Sequence, residues 1–289
     1  MSPEGQNKMS ITTIPDGVIA PRRSLARRML RRAIPTGLRT PLYLFLSRGA
    51  FGRIAGLVYR NRIPYRGLRI LTHNRLVTPV VKALLCWGFY EEDEASFVAR
   101  SLAPNLDVVE LGASLGVVSC LVARKLDADR RVVSVEALPE LLALARANAE
   151  ENGLDSRIRF VQGAISYGSG DLVAFEADDM SLCGRLAAES AVRDARRVEV
   201  PAKTLGVLLN ESRIGDYALV CDIEGAEAGI IEEDAAALER CRQIIIELHD
   251  TTYNGVSLTP ADLSARLEDK HGFRLRGRAR RTYLFERPA

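Results

Sequence analysis

Aromatic residues are scarce in this chain of 289 residues: one tryptophan, eight tyrosines and eight phenylalanines, 6% in all. Cysteine is sparser still. The five residues (Cys86, Cys120, Cys183, Cys221 and Cys241) are odd in number and form no Cys-x-x-Cys pair. Several lie in apolar stretches, so free buried thiols in a reducing compartment are expected in place of a disulfide framework. No run approaches the roughly 18 uncharged apolar residues of a spanning helix, which excludes a polytopic membrane protein. Internal repeats and low-complexity tracts are missing as well. What is present, 47% hydrophobic and 27% charged residues, is an ordinary globular balance that excludes disorder of the whole chain. The length suits one large domain, or one domain with an appendage.

A net charge of +3 conceals a division. Residues 1–75 carry fifteen Lys and Arg against two acids, Glu4 and Asp16, for +13, so the remainder carries −10. Such a basic head suits an anionic partner. Its paired arginines, with no clean apolar core or cleavage site after them, do not make a secretory signal. Residues 1–20 are polar and aperiodic, and are expected to be a disordered N-terminus. Residues 21–87 form a basic, partly helical extension. Within it, 22–34 and 42–60 set apolar residues among arginines, as in amphipathic helices lying on an anionic membrane. The same pattern fits helices that cap a domain with their arginines in solvent. No nucleic acid is expected as partner, since aromatics for base stacking are few and no binding signature appears.

Residues 88–289 form the main unit, and from about residue 92 strand-like and helix-like segments alternate. Strands are expected at 107–111, 131–137, 158–165, 217–223 and 243–249, with two more within 273–287. Helices are expected at 94–103, 115–126, 139–153, 226–240 and 259–272; Pro139 and Gly153 bound one, Thr259 and Pro260 open another. Continuous apolar strands alternating with helices mean a parallel sheet covered on both faces. The least regular stretch, 166–216, is read as an insertion over the site.

Ligands in such a sheet bind beyond the carboxyl ends of the strands, where strand order reverses, and the first strand of the alternation lies there. Its end reads Glu110-Leu111-Gly112-Ala113-Ser114-Leu115-Gly116. Glycines at 112 and 116 permit a tight turn and a close approach of ligand to backbone, and the following helix aims its N–H groups at the ligand. Glu136 ends the second strand twenty residues past Gly116, the usual place for a carboxylate that accepts from a ribose diol. Together these point to an adenosine-type cofactor. The dinucleotide pattern Gly-x-Gly-x-x-Gly is broken by Ser114 and Val117, and no Tyr-x-x-x-Lys pair appears, which disfavours an NAD-dependent dehydrogenase. Glu110 suits a cofactor with an amino group and a positive charge, and would repel a pyrophosphate. S-adenosylmethionine meets that description.

VVELGASLGVVS (108–119), VEALPELLALARANAEENGL (135–154), GAIS (163–166), CDIEGAEAGII (221–231) and IIIELH (244–249) resemble the FkbM family of class I S-adenosylmethionine-dependent methyltransferases. GFYEEDEASFV (88–98) is similar to the segment before the family's first motif, and Asp-x-Glu-Gly-Ala-Glu at 222–227 is the most diagnostic string. The resemblance covers roughly 88–250 and leaves the first 75 residues outside. It implies an α/β, Rossmann-like class I methyltransferase fold with a mainly parallel seven-stranded sheet and helices on both faces. It also implies O-methylation of a sugar or natural product. The wording of 84–119 is most similar to members from surface-polysaccharide gene neighbourhoods.

On that resemblance Gly112, Ala113, Ser114 and Gly116 would wrap the methionine part of the cofactor, with Glu110 near its ammonium group. Glu136 would hold the ribose, with Ala137 and Leu138 beside the adenine and Gly163, Ala164 and Ile165 on its other side. Tyr90, Glu91 and Glu94 would close the pocket; a solvated acidic helix start is the plainer reading of the two acids. A hydroxyl acceptor must lose a proton. Asp222, ending the fourth strand across the switch point, is best placed to face the transferred methyl. Glu224 and Glu227 follow on the turn, where one of them could instead cap the helix. His249 ends the fifth strand, a candidate base or a structural partner of Asp222. His73 and His271 read as surface or structural. Asp222, Glu224, Glu247 and His249 could in principle hold a divalent cation, but no spacing demands it and no metal is expected.

The expected acceptor is a small molecule or a glycan, lipid-linked in one version, reached from the cytoplasmic face of a membrane that residues 22–60 touch peripherally. The motifs do not separate O- from N-methylation or give the oligomeric state. A degenerate fold serving only as a binding protein is the non-enzymatic alternative. The intact glycine turn, Glu136 and Asp222 argue against it.

Overall fold

The computed structural model describes residues 49–177, 184–186 and 196–288. The expected disordered start, the amphipathic segment 22–34, the beginning of the second such segment and Cys183 lie outside them. The described chain opens with helix α1 (Gly49–Val58), strands β1 (Arg62–Tyr65) and β2 (Leu68–Leu71), and helix α2 (Pro79–Trp87). Helix α1 lies hard against α2: a Cβ on Gly52 would fall 1.6 Å from the Pro79 carbonyl oxygen. Thr78 caps α2 and Pro79 occupies its first turn, while Gly88, in the left-handed region, ends it. The β1–β2 hairpin turns on Arg66 and Gly67, both at positive φ. Its period of two buries Ile63, Tyr65, Leu68 and Ile70, which join the apolar cluster of the main unit.

Next come α3 (Glu92–Ser101), β3 (Asp107–Leu111), α4 (Val117–Lys125), β4 (Val132–Glu136), α5 (Pro139–Glu151) and β5 (Ile158–Gln162). Short strands β6 (Ala164–Ile165), β7 (Leu172–Ala177), β8 (Gly184–Leu186) and β9 (Arg196–Lys203) make a second sheet, in the order β6-β9-β7-β8. Then follow α6 (Leu205–Ser212), β10 (Tyr217–Cys221), α7 (Glu227–Glu233), α8 (Ala235–Glu239) and β11 (Cys241–Glu247). A hairpin of β12 (Thr251–Tyr253) and β13 (Val256–Leu258) precedes α9 (Pro260–Asp269), β14 (Arg274–Ala279) and β15 (Thr282–Glu286).

The main sheet has seven strands in the order β14-β15-β11-β10-β3-β4-β5. The five from β11 to β5 run parallel, and β15 and β14 close the edge antiparallel. This is the expected mainly parallel α/β sheet. Every position of β3, β4 and β10 is buried, as strands covered on both faces must be. Alternate side chains feed two cores: Val108, Val132 and Val220 join α3, α4 and α5, while Val109, Val133 and Leu219 join α6, α7 and α9. The order reverses at β3, with β4 on one side and β10 on the other, so a crevice opens beyond their carboxyl ends.

Two elements differ from the sequence expectation. The strand expected at 158–165 breaks at Gly163, whose N–H donates to the Glu136 carbonyl at 3.0 Å, and β6 crosses to the second sheet. The helix expected at 226–240 divides at Asp234, which leaves helical geometry (φ −117°, ψ 48°). Its carboxylate accepts from the Tyr167 hydroxyl at 2.9 Å and the Gly206 N–H at 2.8 Å, distant contacts that override local propensity. Among the described cysteines none is bridged; Cys120, Cys221 and Cys241 are buried and Cys86 is half-buried.

Candidate functional site

The chain leaves β3 through a turn that its neighbours hold tightly. The Gly112 and Ala113 N–H groups both donate to the Val135 carbonyl, at 3.0 and 2.9 Å, and the Asp222 N–H donates to the Leu111 carbonyl at 2.9 Å. Gly112 has φ 92°, and a Cβ there would lie 1.9 Å from the Asp222 carbonyl oxygen, so only glycine fits. Ser114 is also left-handed, at φ 49°. Its N–H donates to Glu136 Oε2 at 2.8 Å, and the Leu138 N–H donates to Oε1 at 2.9 Å. The acid at the end of β4 thus ties the turn after β3 to the start of α5.

A cavity of about 300 Å³ opens over this turn. Gly112, Ser114 and Leu111 form its floor, and Glu136, Ala137, Leu138 and Leu141 one side. Gly163, Ala164, Ile165 and Phe175 form another, with Asp222, Ile223, Glu224 and Ala226 opposite. Leu84, Phe89, Tyr90 and Glu91 reach in from the segment before the main sheet. The Tyr90 hydroxyl and Ser114 Oγ are 3.0 Å apart, which joins that segment to the turn.

Several expected residues stand outside the wall. Ala113 and Gly116 lie behind the turn; Gly116 allows α4 to approach α5, since a Cβ there would meet Ala145 at 2.9 Å. Glu110 is buried under the sheet end, where the Ser119 and Ser134 hydroxyls each donate to its Oε2 at 2.5 Å. Burial outweighs those donors and pushes its pKa up to about 7. Glu136 is raised to about 7 for the same reason, against the lowering effect of the Leu138 and Ser114 amides. Glu94 is half-buried behind Glu91, and burial raises both far above the ordinary carboxylate range.

His249 stands behind Asp222 and Glu224, ringed by acids. Its Nδ1 is 3.0 Å from Glu227 Oε1, and its Nε2 is 3.4 Å from Glu224, 3.8 Å from Glu247 and 4.0 Å from Asp222. Glu224 (φ 53°) and Gly225 (φ 105°) turn the chain so that the Glu224 side chain folds back toward the ring. Burial, then the Glu247 and Glu224 charges, push Asp222 up to about 8 against the pull of His249. Burial tends to lower the His249 pKa, but the Glu227 hydrogen bond and the surrounding carboxylates win and raise it to about 9. His271 bonds the Ile231 carbonyl at 2.8 Å, a structural contact.

The cavity therefore has two chemical ends. Leu138, Leu141, Ile165 and Phe175 offer an apolar slot beside the Glu136 carboxylate, the size and chemistry of a base with its ribose. The Asp222 end is acidic and suits a cation and a departing proton. The Gly112 turn, which closes tightly against the Asp222 backbone, lies between them and fits the methionine part of S-adenosylmethionine. Sequence reasoning did not find Leu84, Phe89 or Phe175. Phe89 lies within the quoted segment 88–98, beside Tyr90, whereas Phe175 arrives on a strand of the second sheet and carries no local signal.

Residues 110–275, more than half of the chain, match the family model described as Methyltransferase FkbM domain. No curated protein sequence matches the chain. Similar solved structures include a protein in the NADB-Rossmann superfamily from Streptococcus agalactiae, 12% identical over 67% of this chain and 65% of that one (TM-score 0.40). The O-methyltransferase from Bacillus cereus in complex with SAH is 18% identical over 49% of each chain (TM-score 0.31). A methyltransferase from Geobacter sulfurreducens is 15% identical over 64% of this chain and 73% of that one (TM-score 0.35). The alignment thus spans about half to two thirds of the first two structures. Likenesses this remote carry nothing about substrate.

Proposed function

The chain belongs to the FkbM family of S-adenosylmethionine-dependent methyltransferases, and on that premise we propose that it methylates a hydroxyl of a sugar, glycan or related natural product. The observation that carries the reading is the contact of the glycine turn with Asp222. Because the Asp222 backbone lies against Gly112, its carboxylate is fixed beside the place where the cofactor's methionine part would lie.

When bound, S-adenosylmethionine supplies a methyl group on a sulfonium, which leaves as the neutral thioether after in-line attack. The chain's own residues do the rest. Gly112 and Ser114 let the donor approach the backbone, Glu136 accepts from its ribose hydroxyls, and Leu138 and Ile165 hold its base. Positioning of this kind supplies much of the acceleration in a displacement. Asp222 takes the proton from the acceptor hydroxyl. His249, held by Glu227, partly offsets the charges that raise the Asp222 pKa and keeps it near neutrality, where a general base is most effective.

A lipid-linked glycan, of the kind used in polysaccharide biosynthesis, suits the exposed face of helix α1. Helix α1 exposes Ile54, Leu57 and Val58 (57%, 79% and 69%) among the exposed arginines Arg53 and Arg60. An apolar ridge flanked by arginines fits an anionic membrane surface at its cytoplasmic face. No described helix is long and apolar enough to cross a membrane. The test is release of S-adenosylhomocysteine with panels of sugar and amine acceptors. Turnover with hydroxyl acceptors is expected, and Asp222→Asn should lower kcat about 100-fold or more while cofactor affinity stays within about threefold. Turnover with amines alone would move the reading to N-methylation, and an unchanged rate would remove Asp222 as base.

A further inference from the structure

The ring of acids around His249 has the dimensions of a cation site. Donor atoms of Asp222, Glu224 and His249 all lie within 4.8 Å of one another, with 3.4 Å between His249 Nε2 and Glu224 Oε2. Ligands held about 2.1 Å from one metal are about 3 Å apart when adjacent and about 4.2 Å apart when opposite. Small side-chain shifts would close this set around one ion. The imidazole is oriented for it: Glu227 Oε1 holds Nδ1 at 3.0 Å and accepts from the Ile223 N–H at 3.3 Å. A carboxylate on one ring nitrogen fixes the ring's orientation, and a cation that displaced the Nε2 proton would meet that nitrogen's lone pair among the acids, as metal-ligating histidines require.

Two further observations point to a missing partner. Asp222 Oδ1, the oxygen facing Nε2, is a buried atom with no hydrogen-bond donor. The Glu227 side chain is 0% exposed, and its Oε2 also has no donor. Buried carboxylate oxygens without donors are costly, and a cation would offset that cost. We propose that Asp222, Glu224 and His249 bind one divalent cation, with Glu227 as the residue that positions His249. An oxygen-rich set with a single imidazole suits Mn²⁺ or Mg²⁺. Asp222 and Glu224 both line the cavity, so the open positions of the ion face the acceptor and would take neighbouring hydroxyls of a sugar. That role rests on the functional reading above; binding of the ion itself does not.

The probe is Mn²⁺, titrated into the full chain and followed by loss of the free-ion electron paramagnetic resonance signal. One site is expected, with His249→Ala and Glu224→Gln each weakening binding at least tenfold. Glu227→Gln should weaken it about 10- to 100-fold through the orientation of His249. The exposed Glu239→Gln should leave it unchanged. Glu224 lies on a partly exposed turn, so its variant decides the matter if His249→Ala fails to fold. Absence of Mn²⁺ binding, or binding unchanged in Glu224→Gln, would overturn the proposal. Titration of the same samples with S-adenosylmethionine separates the readings: silence there with Mn²⁺ bound sinks the methyltransferase pocket and leaves the ion site standing.

Discussion

Glu110 and Glu136 show how single side chains set the character of the switch point. Both are buried carboxyls raised to about 7, yet one faces two serines under the sheet and the other faces the cavity. In the unfolded chain Glu110 ionises near 4.5, so between there and about 7 the folded state holds the additional proton. Stability from this group is therefore complete below about pH 4.5 and declines as pH rises through about 7, by about 3 kcal/mol in total. Glu110→Gln keeps the shape and removes the titration. Urea unfolding between pH 5 and 8 should show a flatter profile for the variant; an identical slope would mean that Glu110 is not the linked group.

At the scale of elements, the hairpin before the main sheet supports the cofactor turn through one residue. Asn148 on α5 accepts from the Leu71 N–H at 2.7 Å and donates to the Leu115 carbonyl at 2.8 Å. Its side chain is buried, so Asn148→Ala strands two backbone groups at once. A loss of about 3 kcal/mol in stability is expected, together with weaker cofactor binding, because Leu115 sits in the glycine turn. A variant that loses stability yet binds cofactor like the parent would separate the hairpin from the site.

How far the sequence reveals these elements depends on where their causes lie. Strands β3, β4 and β10 are legible because burial on both faces writes them as unbroken apolar runs. Glu136 is legible because the length of a β–α–β unit fixes its spacing from Gly116. The hairpin is harder to see: its alternation, Arg62-Ile63-Pro64-Tyr65 and Leu68-Arg69-Ile70-Leu71, is only four residues per strand and lies in the basic extension just after the stretch 42–60 that reads as an amphipathic helix. The break at Asp234 depends on Tyr167, 67 residues away, which no local pattern contains. The acids of 222–227 and the 247–249 pair are plain as letters. That four of them surround one imidazole follows only from the parallel register of β10 with β11.

For the molecule as a whole, the distribution of charge matters more than its total. The positive head continues into α1, whose exposed Leu57 and Val58 lie on the helix packed against α2, and α2 contributes Leu84 to the cavity wall. A surface that docked α1 would thus sit close to the site entrance. Replacing both exposed residues, Leu57→Glu with Val58→Glu, should lower sedimentation with phosphatidylglycerol vesicles several-fold and leave cofactor affinity alone, since neither side chain touches the core. Equal vesicle binding by parent and variant would remove α1 as the contact.

The cavity's identity as a methyl-donor pocket is tested most directly by calorimetric titration of the full chain with S-adenosylmethionine, S-adenosylhomocysteine and NAD, alongside Gly112→Ala. The parent should bind the first two with micromolar affinity and ignore NAD, and the variant should lose about 100-fold or more, because its Cβ would collide with the Asp222 carbonyl. Binding of NAD, or undiminished S-adenosylmethionine binding by Gly112→Ala, would contradict the assignment of that cavity.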